Sequence, residues 1–217
     1  MRTEEVRPYY EILKNKKVSI ILKRVFDVIL SAFMLIIFFP VFIVISIAIV
    51  IDSKGGVFFR QERVTQYGKK FRIFKFRTMI VNAEQIGTSV TVDKDARITK
   101  VGSVLRKFRL DEIPQLINIL FGEMTFVGTR PEITKYVKCY TPEMLATLLL
   151  PAGITSEASI KYKNEAKLLE SAQNIDEIYV NEILPKKMKY NLESVKKFSF
   201  LQEIFTMIKT VFYVVKG

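Results

Sequence analysis

A run of 24 residues without a single charged side chain, from Val28 to Ile51, constrains this 217-residue chain more than any other feature. As a straight helix the run would be about 36 Å long, which is enough to cross about 30 Å of bilayer hydrocarbon. The run therefore predicts a membrane segment rather than the core helix of a soluble protein. Its length and its distance from the first residue argue against a cleavable signal peptide.

Two topologies of this segment are compatible with the residues. The length of the run favours one transmembrane helix. Pro40 lies near its middle, however, where it removes a helix hydrogen bond. Basic residues also flank both ends, with Lys23 and Arg24 before the run and Lys54 after it, although the ends of a crossing helix usually differ in basic charge. A re-entrant helix-break-helix, with its break at Pro40 and both ends at one face, would explain these two features.

The composition excludes several kinds of site. The chain has no histidine and one cysteine, Cys139, which excludes a Ser-His-Asp triad, histidine-ligated metals, cysteine zinc clusters and intrachain disulfides. The net charge is +12, and residues 52–110 alone hold nine more basic than acidic side chains. Such a surface favours phosphate-bearing partners. Nucleic acid is the least favoured of these, because the chain has no nucleic-acid-binding motif beside its charge.

Short helices and one hairpin are predicted after the membrane segment. Residues 57–64 and 69–80 alternate apolar and basic side chains, which is typical of two half-buried strands joined by the turn Gln66–Lys69. The last predicted helix carries an apolar stripe that would suit either the core or a membrane interface. The pattern further predicts a polar loop over 88–100 and helices over 103–110, 111–121, 141–149, 165–172 and 199–216.

Two adjacent acids, Asp111 and Glu112, end a strongly basic stretch, LRKFRLDE. The simplest interpretation is structural, because Asp is a good N-cap and Glu suits the first turn of a helix. The same residues could carry chemistry. A carboxylate beside basic groups stays ionised and can attack phosphorus. Its neighbour could hold Mg²⁺, which binds proteins through one or two carboxylates together with substrate phosphates.

Four basic residues are candidate phosphate ligands: Lys75, Arg77, Arg106 and Arg130. Phosphoryl transfer requires cations that neutralise the charge on the phosphate oxygens. Taken singly, each residue could equally be a solvated side chain. Taken as a set beside a membrane segment, they could instead bind anionic lipid headgroups.

The blocks KRVFDVILS, FRQERVTQYGKKFRIFKFRTM, DARITKVGSVLRKFRLDEIPQLINILFGEMTFVGTRPE and PAGITSEASIKYKNE occur in this order from Lys23 onward. In this order and spacing they resemble the bacterial sugar transferases, the monotopic polyprenyl-phosphate phosphoglycosyl transferases. The resemblance implies an α-rich α/β domain at the cytoplasmic face of the bacterial inner membrane. It also favours the re-entrant helix over the crossing one, although Phe39 stands where the family often has serine before the break proline.

The resemblance also implies a reaction. Asp111 would attack the β-phosphate of a UDP-sugar, release UMP and form a covalent phosphosugar intermediate, which polyprenyl phosphate would then attack. Glu112 would act with Mg²⁺, and Arg106, Arg130 and the block containing Lys75 and Arg77 match the family's basic motifs. The partners would be both substrates and membrane lipid, with a homodimer left open.

The predicted organisation has three parts: an N-terminal extension (1–22), the re-entrant helix (23–51), and a catalytic domain (52–217) that ends in an interfacial helix. Lys14, Lys16 and Lys17 in the extension would bind lipid or be solvated. A non-catalytic, membrane-anchored basic module that binds anionic lipid or partner proteins is the alternative function.

Overall fold

The structure, a computed structural model, describes residues 3–83, 95–162 and 174–215. It is helix-rich, with two small two-stranded sheets, as the predicted α-rich α/β class requires. The helices in chain order are α1 (Arg7–Lys14), α2 (Lys17–Asp52), α3 (Lys100–Lys107), α4 (Gln115–Leu120), α5 (Thr134–Val137), α6 (Glu157–Lys161), α7 (Ile175–Ile178), α8 (Leu184–Lys196) and α9 (Phe200–Val215). The strands are β1 (Phe58–Val64), β2 (Lys70–Phe76), β3 (Met124–Val127) and β4 (Ala152–Thr155).

The apolar run lies inside α2, a continuous helix of 36 residues that includes Pro40. Within the described residues, α2 is the one helix that is long and apolar enough to cross a membrane. The expected break of helical structure at Pro40 is not observed, because the neighbouring turns keep their own hydrogen bonds although proline donates none. Re-entry of this helix into one leaflet stays a prediction.

One face of α2 packs against the rest of the domain along most of the helix. Before Pro40, Leu30 and Phe38 contact a core cluster that contains Ile119. In its second half, Ile45 and Ile49 are buried against Phe76. The opposite face leaves large apolar side chains exposed to the surroundings: Ile29, Phe33, Ile36, Ile37, Phe39, Val44, Ile47, Val50 and Ile51. An exposed apolar surface of this size requires a membrane or a partner to cover it.

The basic residues before the apolar run contact the protein itself. Arg24 donates hydrogen bonds of 2.7 and 3.1 Å to the backbone carbonyls of Ile119 and Leu120, at the end of α4. Lys23 is buried and lies 2.6 Å from the carboxylate of Glu203 in α9. The charges of Lys23 and Arg24 therefore bind the domain itself.

The hairpin follows the sequence prediction closely. Strands β1 and β2 pair antiparallel from Phe58 opposite Phe76 to Val64 opposite Lys70, with a short turn over Gln66–Gly68 between them. The second sheet, in which β3 and β4 pair in parallel, was not predicted. Each of its strands has only four residues and is buried on both faces, so neither shows the alternation that identifies a half-buried strand.

The N-terminal extension packs onto the domain. Val6, Tyr9 and Leu13 are buried in a cluster with Leu192 and Phe198. The ammonium of Lys16 donates to a backbone carbonyl at the end of this cluster. The described part of this segment, residues 3–22, is therefore not a solvated tail. Lys14 and Lys17 are exposed, and their binding to lipid stays a prediction.

The terminal helix α9 confirms the predicted element over 199–216 within one or two residues. Its apolar stripe faces outward, since Leu201, Phe205 and Phe212 are exposed while Thr206 is buried. Packing of this stripe into the core is therefore excluded, and an interfacial role remains. The predicted helix over 165–172 and the first part of the predicted loop over 88–100 lie outside the described residues.

Candidate active site

The two adjacent acids lie in a short 3₁₀ turn, Leu110–Glu112, between α3 and α4. Arg109, with φ of +57°, reverses the chain at the end of α3 and directs both acids inward. Both are buried, with exposed fractions of 9% and 8%. The structural interpretation of Asp111 as a helix cap is wrong, because α4 begins at Gln115 and has no side-chain cap.

The carboxylate of Glu112 is held between two cations. Lys75 of β2 lies 2.8 Å from its Oε1, and the guanidinium of Arg130 bonds to both of its oxygens. Burial alone would raise the pKa of Glu112, but Arg130 and Lys75 outweigh it and hold this pKa well below its usual range. Glu112 is thus ionised at neutral pH and fixes two of the predicted phosphate ligands.

Asp111 has a different environment from its neighbour. Neither of its oxygens has a hydrogen-bonded partner among the described residues, and Oδ1 is fully buried. Burial raises the pKa of Asp111, against the opposing effect of Lys75, and the adjacent Glu112 raises it further. Loss of hydration thus outweighs the nearby basic groups in setting the direction of this shift. That Asp111 is ionised at neutral pH stays a prediction.

Asp111 lies on the wall of a cavity of about 460 Å³ between the hairpin, the segment 78–83 and α3. Cationic and apolar side chains both contribute to the wall. The lining includes Phe59, Lys75, Arg77, Met79, Ile80 and Arg106. The volume is in the range of small-molecule sites, and among the described residues Asp111 is the one carboxylate in the lining.

The four predicted phosphate ligands have three different roles in the structure. Lys75 and Arg130 bind Glu112. Arg77 donates to the backbone carbonyls of Ser53 and Lys54, just beyond α2, so its guanidinium is occupied by the protein. Arg106 lines the cavity near Asp111 and, within the described part of the chain, donates no side-chain hydrogen bond. Arg106 is therefore the cation best placed to receive a substrate phosphate.

Sequence reasoning missed the residues that hold Arg130 in place. Arg63 donates a 3.2 Å hydrogen bond to the carbonyl of Pro131. Glu132 accepts a hydrogen bond from the hydroxyl of Tyr179, and both are buried. The turn that contains Arg130 is thus fixed on both sides. The sequence shows only a glutamate directly after Pro131. That this glutamate is buried and lies 3.8 Å from the ammonium of Lys187 depends on tertiary packing.

The acids do not form a metal centre by themselves, since no cluster of three acidic or cysteine side chains occurs in the described ranges. Glu112 does not fit as a Mg²⁺ ligand in this arrangement, because its oxygens already bond to Lys75 and Arg130. Asp111 does fit, as a single carboxylate that would share the ion with substrate phosphates. Bound there, Mg²⁺ would neutralise part of the charge of a diphosphate.

Comparison with known proteins gives consistent matches. A family model described as bacterial sugar transferase matches residues 18–217. The UDP-glucose:undecaprenyl-phosphate glucose-1-phosphate transferase of Klebsiella pneumoniae is 32% identical over 220 residues, which cover 97% of this chain and 44% of that protein. The UDP-N-acetylgalactosamine-undecaprenyl-phosphate N-acetylgalactosaminephosphotransferase of Aeromonas hydrophila is 30% identical, over 90% of this chain and 44% of its own.

A third relative is nearer to this chain in length. The exopolysaccharide production protein ExoY of Rhizobium meliloti is 32% identical over 158 residues, which cover 66% of this chain and 70% of that protein. The chain thus spans less than half the length of the first two relatives and about two thirds of the third.

Proposed function

The chain belongs to the bacterial sugar transferase family, and we propose that it transfers a sugar 1-phosphate from a UDP-sugar to polyprenyl phosphate. The names of two relatives describe transfers of this type to undecaprenyl phosphate, from UDP-glucose in one case and UDP-N-acetylgalactosamine in the other. One observation carries the proposal most directly: the carboxylate of Asp111 lies at the wall of a cationic cavity without a hydrogen-bonded partner among the described residues.

In the first step an oxygen of Asp111 attacks the β-phosphorus of the UDP-sugar. A new oxygen–phosphorus bond forms, the bond from the β-phosphorus to the bridging oxygen breaks, and UMP leaves with that oxygen. A raised pKa makes the ionised carboxylate of Asp111 a better nucleophile. Because this carboxylate has no hydrogen-bonded partner among the described residues, no hydrogen bond must break before it attacks. Arg106 neutralises charge on the phosphate oxygens as the bond forms.

In the second step an oxygen of polyprenyl phosphate attacks the same phosphorus. The bond to Asp111 breaks, the carboxylate is regenerated, and the product is a polyprenyl-diphosphate sugar. Because donor and acceptor react in turn, one cavity of about 460 Å³ serves both. Lys75 and Arg130 stay paired with Glu112 throughout and keep the cavity electropositive.

The arrangement of α2 supports a re-entrant placement at the cytoplasmic face of the bacterial inner membrane. Arg24 near its beginning and Asp52 at its end both bond to the same domain. A helix that crossed the bilayer would separate these two ends by the hydrocarbon layer and would draw a charged domain into it. With both ends at one surface, the exposed apolar faces of α2 and α9 enter one leaflet together.

The experiment that tests the proposal is turnover by an isosteric variant. Purified enzyme is supplied with undecaprenyl phosphate, Mg²⁺ and either UDP-glucose or UDP-N-acetylgalactosamine, and release of UMP is measured. Asp111→Asn should abolish release while the protein remains folded. Wild-type turnover by Asp111→Asn would contradict the assignment.

The alternative function, a non-catalytic basic module, gains nothing from these two acids. Lipid binding does not require a buried carboxylate that lacks a hydrogen bond, and such a group costs folding free energy. The module would bind anionic vesicles and release no UMP from any UDP-sugar. Release of UMP that depends on Asp111 would exclude it.

A further inference from the structure

The end of the membrane helix α2 is bonded to two segments next to cavity cations, the start of α3 and the end of β2. Asp52, its last residue, accepts a 2.9 Å hydrogen bond from the backbone N–H of Val101 in α3. Arg77, just after β2, donates a 2.8 Å hydrogen bond to the carbonyl of Ser53 and a second to that of Lys54. Strand β2 carries Lys75 and helix α3 carries Arg106.

The bond from Asp52 completes the N-terminal cap of α3. The first N–H groups of a helix have no partner within the helix. Thr99 satisfies one of them, since its side chain accepts from the N–H of Gly102. The N–H of Val101 is satisfied by Asp52, from a different part of the chain. The orientation of α3 thus depends on a residue of the membrane helix.

The turn after α2 has little freedom to shift. Gly55 has φ of +126°, and a Cβ at this position would lie 2.6 Å from Nη1 of Arg77. On the other side of the junction, a Cβ at Gly102 would lie 2.1 Å from the carbonyl oxygen of Thr78. The N–H of Thr99 also donates a 3.0 Å hydrogen bond to that oxygen. The end of α2, the end of β2 and the start of α3 therefore form one closely packed junction.

We propose that Asp52 is a positioning residue that fixes Arg106 through α3, and that Arg77 clamps the turn from which Asp52 acts. Arg106 lies five residues after Val101 on the same helix, so a rotation of α3 at its start displaces the guanidinium in the cavity. The phosphate site is then complete only when the end of the membrane helix is seated. This inference rests on the proposed function, because it assigns Arg106 to a substrate phosphate.

A double-mutant cycle on UDP binding tests the inference. The full chain is prepared as wild type, Asp52→Ala, Arg106→Ala and the double variant, and UDP affinity is measured by calorimetry with Mg²⁺ present. If Asp52 acts through Arg106, Asp52→Ala weakens UDP binding about tenfold in the wild-type background and less than about twofold when Arg106 is absent. Equal losses in the two backgrounds, or no loss in either, would overturn the inference.

Two further variants separate positioning from folding. Asp52→Asn keeps an oxygen that can accept from Val101, so its loss of UDP affinity should be smaller than that of Asp52→Ala. Glu193→Gln removes a carboxylate from an exposed ion pair with Lys197 and should bind UDP as the wild type does. If Asp52→Ala is unstable, the cycle is carried out with Asp52→Leu, which likewise offers no acceptor to Val101, and unchanged UDP affinity in that variant would overturn the inference.

The two proposals fail in different ways. If the wild-type protein neither binds UDP nor releases UMP from either UDP-sugar, the proposed function is wrong. If the wild type does both and Asp52→Ala matches it in UDP affinity, the transferase assignment stands and the positioning role of Asp52 is rejected.

Discussion

The ammonium of Lys75 lies 2.8 Å from Oε1 of Glu112, so the acid next to the proposed nucleophile is already neutralised by the protein. Because of this ion pair, the two neighbouring carboxylates have different environments. Glu112 anchors cations and has its pKa held low, whereas Asp111 has no hydrogen bond within the described residues and a raised pKa. Two acids in adjacent positions thus have environments suited to different roles.

The pH dependence of turnover should report Asp111. Because burial raises its pKa, the rate should fall on acidification at a higher pH than an ordinary aspartate, with a pKa of about 4, would produce. Lys75→Met removes the largest opposing charge, so it should move this acidic limb to still higher pH. The measurement is the rate of UMP release between pH 4 and about 8. If the rate falls at the same pH in Lys75→Met as in the wild type, Lys75 does not lower the pKa of Asp111, which would contradict this explanation.

Asp111→Asn should leave the protein at least as stable as the wild type. A carboxyl whose pKa is higher in the folded than in the unfolded state favours folding when it is protonated, at low pH. Its contribution is lost as pH rises through the raised pKa, and at neutral pH the ionised group is a cost. Thermal unfolding at pH 7 should therefore show an equal or higher midpoint for Asp111→Asn. A lower midpoint would indicate that Asp111 is a structural residue.

Arg130→Met should be strongly destabilising, because it removes one of the two main partners of a buried carboxylate. Loss of one partner from a buried ion pair costs about 3 kcal/mol of folding stability. Adding Glu112→Gln to the Arg130→Met variant removes the uncompensated charge and should restore part of that stability. The stabilising contribution of Glu112 is present above its unfolded pKa and is lost as pH falls through its depressed folded pKa. Urea unfolding at pH 7 measures the effect.

The matched control for Arg130 is Lys197→Met, which breaks an exposed pair with Glu193 at 2.7 Å. Exposed pairs contribute little, so this variant should change the free energy of unfolding by less than about 1 kcal/mol. If Arg130→Met and Lys197→Met change the free energy of unfolding equally, Arg130 does not stabilise the buried carboxylate of Glu112.

The proposed re-entrant placement of α2 predicts that both ends of the helix are accessible from one side of the membrane. After Cys139 is replaced by serine, single cysteines are introduced at Lys14 and Lys54, two exposed positions before and after the helix. In sealed inverted vesicles, a membrane-impermeant thiol reagent should label both sites from the cytoplasmic side. Labelling from opposite sides would establish a crossing helix.

Local patterns predicted much of the fold. The alternation of apolar and basic residues identified the β1–β2 hairpin, and the helical spacing of apolar residues identified α9. Both patterns can be recognised because they lie within one continuous stretch of sequence. The parallel pair β3–β4 escaped prediction because it joins two four-residue segments far apart in the chain. The bond between Tyr9 and Glu143, 134 positions apart, shows the same difficulty for the N-terminal helix.

The candidate site was predicted in its residues but only partly in their roles. The sequence placed Asp111 among cations and could not indicate that burial would outweigh them. It grouped Arg77 with Arg106 because phosphoryl transfer requires cations and both side chains are permanently basic. The guanidinium of Arg77 donates to backbone carbonyls, whereas that of Arg106 stays open to the cavity. This difference depends on tertiary packing, here on the position of the end of α2.

The central claim, that Asp111 becomes covalently bonded to phosphorus, is tested most directly by trapping the intermediate. The enzyme is incubated without polyprenyl phosphate but with Mg²⁺ and UDP-glucose or UDP-N-acetylgalactosamine labelled in the β-phosphate, and is then quenched and digested. We expect label on the peptide that contains Asp111, a matching burst of UMP, and neither in Asp111→Asn. Release of UMP only after polyprenyl phosphate is added, with no labelled peptide, would contradict the account.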